Sequence, residues 1–187
     1  RHDPIANTTT RVADVNSGSA SSTPTEITAA GGLLYFHADD GSTGRELWRH
    51  DPATNTTARV ADLRPGGGSA FPLGDARPVL LDGNLYFAAD DGATGREIWR
   101  HTVGGNTITL VADLNGSAGS DASDLTLLTG LPCCCADDGV SGQELWRYDP
   151  TTNTTSLVAD VWNGGGSAPA SLTVLDSRIY FSANGGA

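Results

Sequence analysis

The chain repeats itself at a spacing of about 48 residues, and this repetition constrains the fold more than any other feature. A tetrapeptide of Glu, Leu or Ile, Trp and Arg occurs three times, with its tryptophan at Trp48, Trp99 and Trp146. The tripeptide Val-Ala-Asp occurs four times, beginning at Val12, Val60, Val111 and Val158. Such self-similarity indicates equivalent units that pack on one another. We therefore expect a single repeat domain over 1–187, with approximate units 1–48, 49–99, 100–146 and 147–187, the last one incomplete.

Each unit contains four short apolar stretches separated by residues typical of turns. In the second unit these stretches cover 58–63, 79–81, 85–89 and 97–100. An Asp-Gly pair follows the stretch that contains Tyr-Phe, and an Asp-Pro pair followed by Asn separates two others. Both combinations are typical of hairpin connections. No apolar stripe with the helical period of about 3.6 residues appears, so the units are predicted to be β-structure.

Four strands in about 48 residues is the size of one β-propeller blade. The sequence therefore predicts an all-β fold, a β-propeller of about four tandem four-stranded blades. The Val-Ala-Asp strand occurs four times and the tryptophan strand three times, which leaves two alternatives. Either a four-bladed ring closes with one strand absent, or the chain is a segment of a longer array, which we prefer. Unpaired end blades would expose sheet faces and edges, which favours a homo-oligomer or a filament.

The recurring aromatic residues are the candidate core. Stacked blades cover both faces of each sheet, so nearly continuous apolar stretches are expected to be buried. The predicted core residues are Trp48, Trp99, Trp146, Phe36, Phe87 and Phe181.

The charge of the chain argues against nucleic acid as a partner, and its hydrophobic pattern argues against membrane insertion. Acidic residues outnumber basic ones by 22 to 11, which gives a net charge of −11. No basic stretch is present that could follow a phosphate backbone, so nucleic acid is not an expected partner. No run of eighteen apolar residues occurs either, so no membrane insertion is expected.

The repeated pattern Tyr-Phe-x-Ala-Asp-Asp-Gly-x-x-Gly-Arg-Glu-Leu-Trp-Arg, as at 35–49, resembles the bacterial ELWxxDGT repeat. That motif belongs to secreted or surface proteins with kelch-like propeller blades, so the resemblance implies an extracellular or cell-surface scaffold and no particular activity. The usual Asp-Gly-Thr after the tryptophan is replaced here, for example by Asp149-Pro150. A role of that tripeptide therefore does not carry over.

Four Gly-Ser pairs recur in the loops after the Val-Ala-Asp strands. Their serines are Ser19, Ser69, Ser120 and Ser167. In a ring these loops would lie on one face and could form a repeated pocket for carbohydrate or protein. The alternative, which we favour, is that glycine supplies turn geometry and serine caps backbone groups.

The Asp-Asp-Gly segments offer carboxylates that suit calcium. Their first members are Asp39, Asp90 and Asp137. The alternating carboxylates of an EF-hand loop are missing, so calcium is the minority alternative to a hairpin turn, and no other cofactor is expected.

Three histidines, His2, His50 and His101, occupy equivalent positions, and Tyr148 is the fourth member of the row. Imidazoles can bind zinc or copper. The tyrosine substitution favours a packing role for the whole row.

The third unit breaks the pattern at Cys133, Cys134 and Cys135, which replace its Tyr-Phe stretch. Consecutive cysteines have neither disulfide nor zinc-site spacing. Pro132 precedes them and is expected to weaken a central strand, and the small thiols are expected to loosen the packing.

No nucleophile elbow, phosphate-binding loop or metalloprotease helix is present, so catalysis finds little support. We expect a non-catalytic extracellular β-propeller scaffold or binding module that binds protein or carbohydrate and assembles with itself. A lectin-like propeller is the first alternative, and an enzyme on a propeller scaffold is the second. Fold alone does not decide among them.

Overall fold

The computed structural model describes residues 1–73 and 77–186. Residues 74–76 and Ala187, where the predicted fourth unit ends, lie outside the described residues. The described part is β-structure joined by turns, with one turn of 3₁₀-helix at Gly116–Ala118 and no α-helix. The all-β prediction is therefore confirmed.

In the described residues, three four-stranded sheets follow one another along the chain, preceded and followed by a two-stranded sheet. The first hairpin consists of β1 (His2–Asp3) and β2 (Thr8–Thr9). The first sheet contains β3 (Thr25–Ala30), β4 (Leu33–Asp39), β5 (Arg45–Asp51) and β6 (Thr56–Arg59). The second contains β7 (Val79–Leu81), β8 (Asn84–Asp90), β9 (Arg96–Thr102) and β10 (Ile108–Ala112). The third contains β11 (Ser123–Leu128), β12 (Leu131–Asp137), β13 (Gln143–Asp149) and β14 (Thr154–Ala159), and the last hairpin contains β15 (Ala170–Leu175) and β16 (Arg178–Ser182).

Every sheet is an antiparallel meander in which each strand pairs with the next one in sequence. Each four-stranded sheet therefore begins at the second apolar stretch of a predicted unit, such as 79–81, and ends at the Val-Ala-Asp stretch of the next unit. The predicted units were divided at the tryptophan instead. This difference in phase arises because a periodic sequence does not show where one sheet ends.

The turns use the backbone conformations that their residues favour. Asn55 and Asn153 adopt a φ of 54° in the hairpins after the tryptophan strands, and Asn7 adopts a φ of 50° in the equivalent turn between β1 and β2. Asparagine tolerates this left-handed region better than most residues, so these positions match the turn prediction.

The central strands bury both faces, as expected for stacked sheets. Along β8, Phe87 and Ala89 pack toward the first sheet, and Ala88 packs toward the third. Trp99 and Leu85 belong to the same cluster as Phe87. The core therefore consists of separate clusters between neighbouring sheets.

The recurring aromatic residues are buried in the second and third sheets and only half-buried in the first sheet and the last hairpin. Trp99, Trp146 and Phe87 are buried, whereas Trp48, Phe36 and Phe181 are half-buried. The indole Nε1 of Trp48 donates to the carbonyl of Ala38, and that of Trp99 donates to the carbonyl of Ala89, both at 3.0 Å.

Across residues 1–73 and 77–186, no helix is long and apolar enough to cross a membrane.

We predict that Trp99→Ala lowers the free energy of unfolding by about 3–5 kcal/mol, because it empties the cluster between the first two sheets. Trp48→Ala is the matched control and is expected to cost less, since the Trp48 ring is half-buried. Urea unfolding followed by circular dichroism measures both. Equal losses for the two variants would contradict this account.

Candidate functional site: the joints between neighbouring sheets

A buried glutamate near the start of the third strand marks each four-stranded sheet. Glu46, Glu97 and Glu144 each have no exposed surface. A buried carboxylate is costly unless hydrogen-bond donors surround it. The donors come from the loop that leaves the fourth strand of the same sheet.

The second and third sheets satisfy their glutamates in the same way. The Ser120 amide donates to Glu97 Oε1 and its hydroxyl to Glu97 Oε2, both at 2.7 Å. The Ser167 amide donates to Glu144 Oε1 at 2.7 Å, and the Ser167 hydroxyl donates to Glu144 Oε2. A second amide also reaches each carboxylate, from Leu114 at 3.5 Å and from Val161 at 3.3 Å. Each loop is therefore held around a carboxylate.

The same loops also connect neighbouring sheets through the backbone. The Ala70 amide donates to the Arg45 carbonyl of the first sheet, and the Asp90 amide of the second sheet donates to the Ala70 carbonyl, both at 3.0 Å. In the same way, the Ser120 amide donates to the Arg96 carbonyl of the second sheet, and the Asp137 amide of the third sheet donates to the Ser120 carbonyl. We call each set of buried glutamate and bridging loop a joint.

Glycines let two loops approach closely at each joint. A Cβ added to Gly95 would lie 2.6 Å from the Cα of Gly119, and one added to Gly142 would lie 2.6 Å from the Cα of Gly166. A Cβ on Gly44 would lie 2.3 Å from the carbonyl oxygen of Gly68. Gly44, Gly95 and Gly142 also have φ values of 74°, 75° and 73°, which favour glycine. These glycines are part of the joint that the sequence analysis did not identify.

The first joint differs from the other two. Ser69 Oγ accepts a hydrogen bond from the Arg45 amide at 3.0 Å instead of donating to the glutamate. Glu46 Oε2 accepts from the Leu63 amide at 3.0 Å, and Glu46 Oε1 is buried without a hydrogen-bond partner among the described residues. Desolvation raises the pKa of Glu46 to about 7, against the lowering effect of nearby amides. Desolvation also raises the pKa of Glu97, where the Ser120 hydroxyl and amide oppose it.

The structure places the four candidate serines in two kinds of environment. Ser120 and Ser167 are fully buried and donate to carboxylates, so their hydroxyls are engaged inside the protein. Ser69 is exposed but bonded to the Arg45 amide, and Ser19 is exposed. The serines therefore do not line one shared pocket.

The candidate calcium residues form turns. In each Asp-Asp-Gly segment the glycine amide donates to the first aspartate at 2.7 Å, and these first aspartates are Asp39, Asp90 and Asp137. The second aspartate of each segment accepts two further backbone amides. At Asp40, the hydrogen bonds from Thr43 and Ser42 lower the pKa of the carboxyl to about 2. Within residues 1–73 and 77–186, no group of three or more His, Cys, Asp or Glu side chains is placed to hold a metal ion.

Two members of the histidine row, His101 and Tyr148, lie at contacts between sheets. His101 Nε2 lies 3.3 Å from the Tyr35 hydroxyl of the first sheet, and burial lowers the pKa of His101. Tyr148 takes the equivalent place in the third sheet, where its ring faces Tyr86 at 5.9 Å between centroids. His101 and Tyr148 therefore pack against tyrosines of the preceding sheet, whereas His50 Nδ1 bonds the Thr57 hydroxyl of its own sheet and His2 is exposed.

The cysteines lie in β12 and are buried and free. Burial raises the pKa of Cys135 to about 12 and raises the pKa of Cys133 and Cys134 as well. Such thiols are protonated at neutral pH and are poor nucleophiles. Cys134 stands where the first two sheets have Phe36 and Phe87. The cavity that Cys134 lines measures only about 10 Å³, so the smaller side chain leaves little empty space there.

We predict that Glu46→Gln changes how stability depends on pH. Because the pKa of Glu46 is raised from 4.5 to about 7 in the folded chain, folding favours the protonated form. The contribution of Glu46 to the free energy of unfolding is fully present below pH 4.5 and is lost as the pH rises through about 7. The difference in unfolding free energy between Glu46→Gln and the unchanged chain should therefore grow in favour of the variant across this range.

Urea unfolding at several pH values measures this difference, and comparison with the unchanged chain cancels the contribution of His37. Burial lowers the pKa of His37 to about 3, so it acts in the opposite direction, with stability lost as the pH falls below 6.5. A difference that stays constant with pH would contradict the assignment to Glu46.

We predict that Ser120→Ala destabilises the chain by about 1.5–3 kcal/mol, because it removes a hydrogen bond to a buried charged group. Ser69→Ala is the matched control and is expected to cost about 1 kcal/mol, since the Ser69 hydroxyl accepts from a backbone amide and bonds no carboxylate among the described residues. Ser19→Ala should leave stability unchanged. Equal midpoints in urea for Ser120→Ala and Ser19→Ala would contradict the proposed role of the joint.

Comparison with known proteins identifies a fold and no family. No family model and no curated protein matches this chain. Among solved structures, TolB from Acinetobacter baumannii matches with a TM-score of 0.54 and 16% identity over 98% of this chain. The tricorn protease matches with a TM-score of 0.53 and 10% identity over 87% of this chain, and the GH74 enzyme of Niastella koreensis with 0.52 and 13% over 80%.

The matched part is less than half of each neighbour. The chain spans 45% of the TolB structure, 15% of the tricorn protease and 23% of the GH74 enzyme. At these identities the likeness concerns the fold alone. The chain is thus an all-β protein of four-stranded antiparallel sheets with a propeller-like fold.

Proposed function

We propose that this chain is a non-catalytic β-propeller scaffold, in which the successive sheets are blades and the recurring polar residues hold the blades together. One observation carries the proposal. The glutamate and serine that recur in the second and third sheets hydrogen-bond to each other inside the protein.

The chemistry of the repeated residues supports a structural role. The aspartates of the Asp-Asp-Gly segments accept amides of their own turns, and His101 and Tyr148 contact tyrosines of the preceding sheet. At the second and third joints the buried carboxylates accept several hydrogen bonds, and satisfied buried polar groups of this kind specify one packing arrangement. The polar repeat residues of the joints and turns are therefore used within the scaffold.

The same observations argue against the two alternatives. A lectin with one sugar site per blade needs accessible hydroxyls, whereas Ser120 and Ser167 are buried. An enzyme needs a nucleophile or an acid–base pair in a cleft, and the buried cysteines have raised pKa values. We accordingly propose a scaffold that binds protein, and the resemblance of the repeat supports an extracellular or cell-surface location.

Turnover assays test this proposal. The chain is incubated with chromogenic peptide, ester and glycoside substrates, with heat-unfolded chain as the control. We expect no hydrolysis beyond that of the control. Saturable hydrolysis that is lost on unfolding would overturn the scaffold assignment.

A glycan array tests the carbohydrate alternative. We expect no glycan to bind with a stoichiometry near one site per sheet. Binding of that kind, weakened by Ser19→Ala or Ser69→Ala at the two exposed serines of the Gly-Ser pairs, would favour the lectin instead.

A further inference from the structure

The contact between the first two sheets contains a polar cavity of about 230 Å³. Leu33 begins β4 and Asp51 ends β5, so the cavity lies at the end of these strands away from the joint. Its volume is below the roughly 300–1,000 Å³ of pockets that bind drug-sized ligands, so the cavity fits a smaller molecule. The residues that line it are Leu33, Arg49, Asp51, Thr56, Ala58 and Gly104.

Arg49 brings a positioned guanidinium to this cavity. Its Nη1 donates to the carbonyls of Gly104 and Gly105 in the second sheet, at 3.1 and 2.8 Å. Gly104 is itself fixed, because its amide donates to the hydroxyl of the buried Tyr35 at 2.8 Å. Among the residues that the structure describes, Nε and Nη2 of Arg49 have no hydrogen-bond partner. This edge of the guanidinium is thus available to a carboxylate, which it can bind through two parallel hydrogen bonds.

The repeat shows why this edge is left without a partner. In the third sheet Ser156 stands opposite Arg147, and Arg147 Nε donates to Ser156 Oγ at 3.1 Å. Thr109 offers a hydroxyl at the same place in the second sheet. In the first sheet the residue opposite Arg49 is Ala58, which has no hydroxyl. The first sheet therefore lacks the side-chain acceptor that its repeat equivalents provide.

The opposite charge in the cavity comes from Asp51, which follows Arg49 by two residues and lies on the same face of β5. Asp51 Oδ2 accepts the Thr54 hydroxyl at 2.9 Å, and Asp51 Oδ1 accepts the Ala53 amide at 2.8 Å. These two bonds lower the pKa of Asp51, so its carboxylate is charged at neutral pH. Each carboxylate oxygen can accept two hydrogen bonds, so Oδ2 can accept a further donor from a ligand.

We propose that this cavity binds a small free α-amino acid with an aliphatic side chain. Its carboxylate pairs with the available edge of Arg49, its ammonium donates to Asp51, and its side chain lies against Leu33 and Ala58. A ligand with both charges complements a cavity that has one cation and one anion. A simple anion would be repelled by Asp51, and a simple cation would be repelled by Arg49. This site goes beyond the scaffold function and does not depend on it.

Titration of the whole chain with valine, followed by NMR chemical shifts, tests the proposal. We expect saturable shifts at Leu33, Ala58 and Gly104. Isovalerate lacks the ammonium of valine and isobutylamine lacks its carboxylate, so each should bind at least about tenfold more weakly through the loss of a charge-assisted hydrogen bond. The absence of saturable shifts with valine, or equally tight binding of either analogue, would overturn the inference.

Ala58→Ser is the sharpest variant, because it supplies the hydroxyl that Ser156 provides in the third sheet. The new hydroxyl should bond Arg49 Nε and weaken valine binding at least about tenfold, and residue 58 is exposed, so the chain should remain folded. Arg49→Gln should weaken binding to a similar extent. Arg147→Gln is the matched control in the third sheet and should bind valine like the unchanged chain.

Urea unfolding shows whether each variant is folded, and Ala58→Ser decides the outcome even if Arg49→Gln is not. Valine binding that Ala58→Ser leaves intact would contradict the assigned role of Arg49. An equal loss of binding in Arg147→Gln would place the ligand elsewhere and would also overturn the inference.

Discussion

The buried glutamate at the start of the third strand is the constraint on which each joint depends. A carboxylate without exposed surface must be surrounded by donors, and the nearest donors are amides of the loop that follows the fourth strand. To deliver them, that loop must come close to the hairpin that precedes the glutamate, and only glycine fits there. The loop then bonds the next sheet, so satisfying Glu97 also fixes where the third sheet lies.

The joints vary without losing their geometry, which shows how such an array tolerates change. At the first joint, Ser69 turns its hydroxyl to the Arg45 amide, and the pKa of Glu46 rises to about 7. The backbone bridge through Ala70 is kept. Because each unit of a stacked array contacts only its neighbours, a change in one joint stays local.

The strands and turns were predictable because their signals are local. Apolar stretches and residues such as Asn55 determine the nearby backbone, and the structure has strands and left-handed turns there. The joint was not predicted, since Glu97 and Ser120 lie 23 residues apart. The sequence did hold a signal, because Glu144 and Ser167 have the same separation. A glutamate and a serine at one fixed distance indicate a joint, whereas each residue alone resembles an ordinary strand or turn residue. Glu46 and Ser69 have this separation too, although Ser69 bonds the neighbouring Arg45 amide instead of the glutamate.

The cysteine strand shows why packing overrides local preference. Pro132 has no amide to donate, so the pairing of β12 with β13 begins one residue later, at Cys133. In the first sheet, the residue that matches Pro132 is Leu34, which still pairs with His50. Beyond that residue the ladder continues through Asp137, because backbone groups of both neighbouring strands require partners. Among the described residues, Trp146 Nε1 in the same sheet is buried without a hydrogen-bond partner, whereas Trp99 Nε1 donates to the Ala89 carbonyl. The neighbours thus impose a strand on a sequence that would not specify one alone.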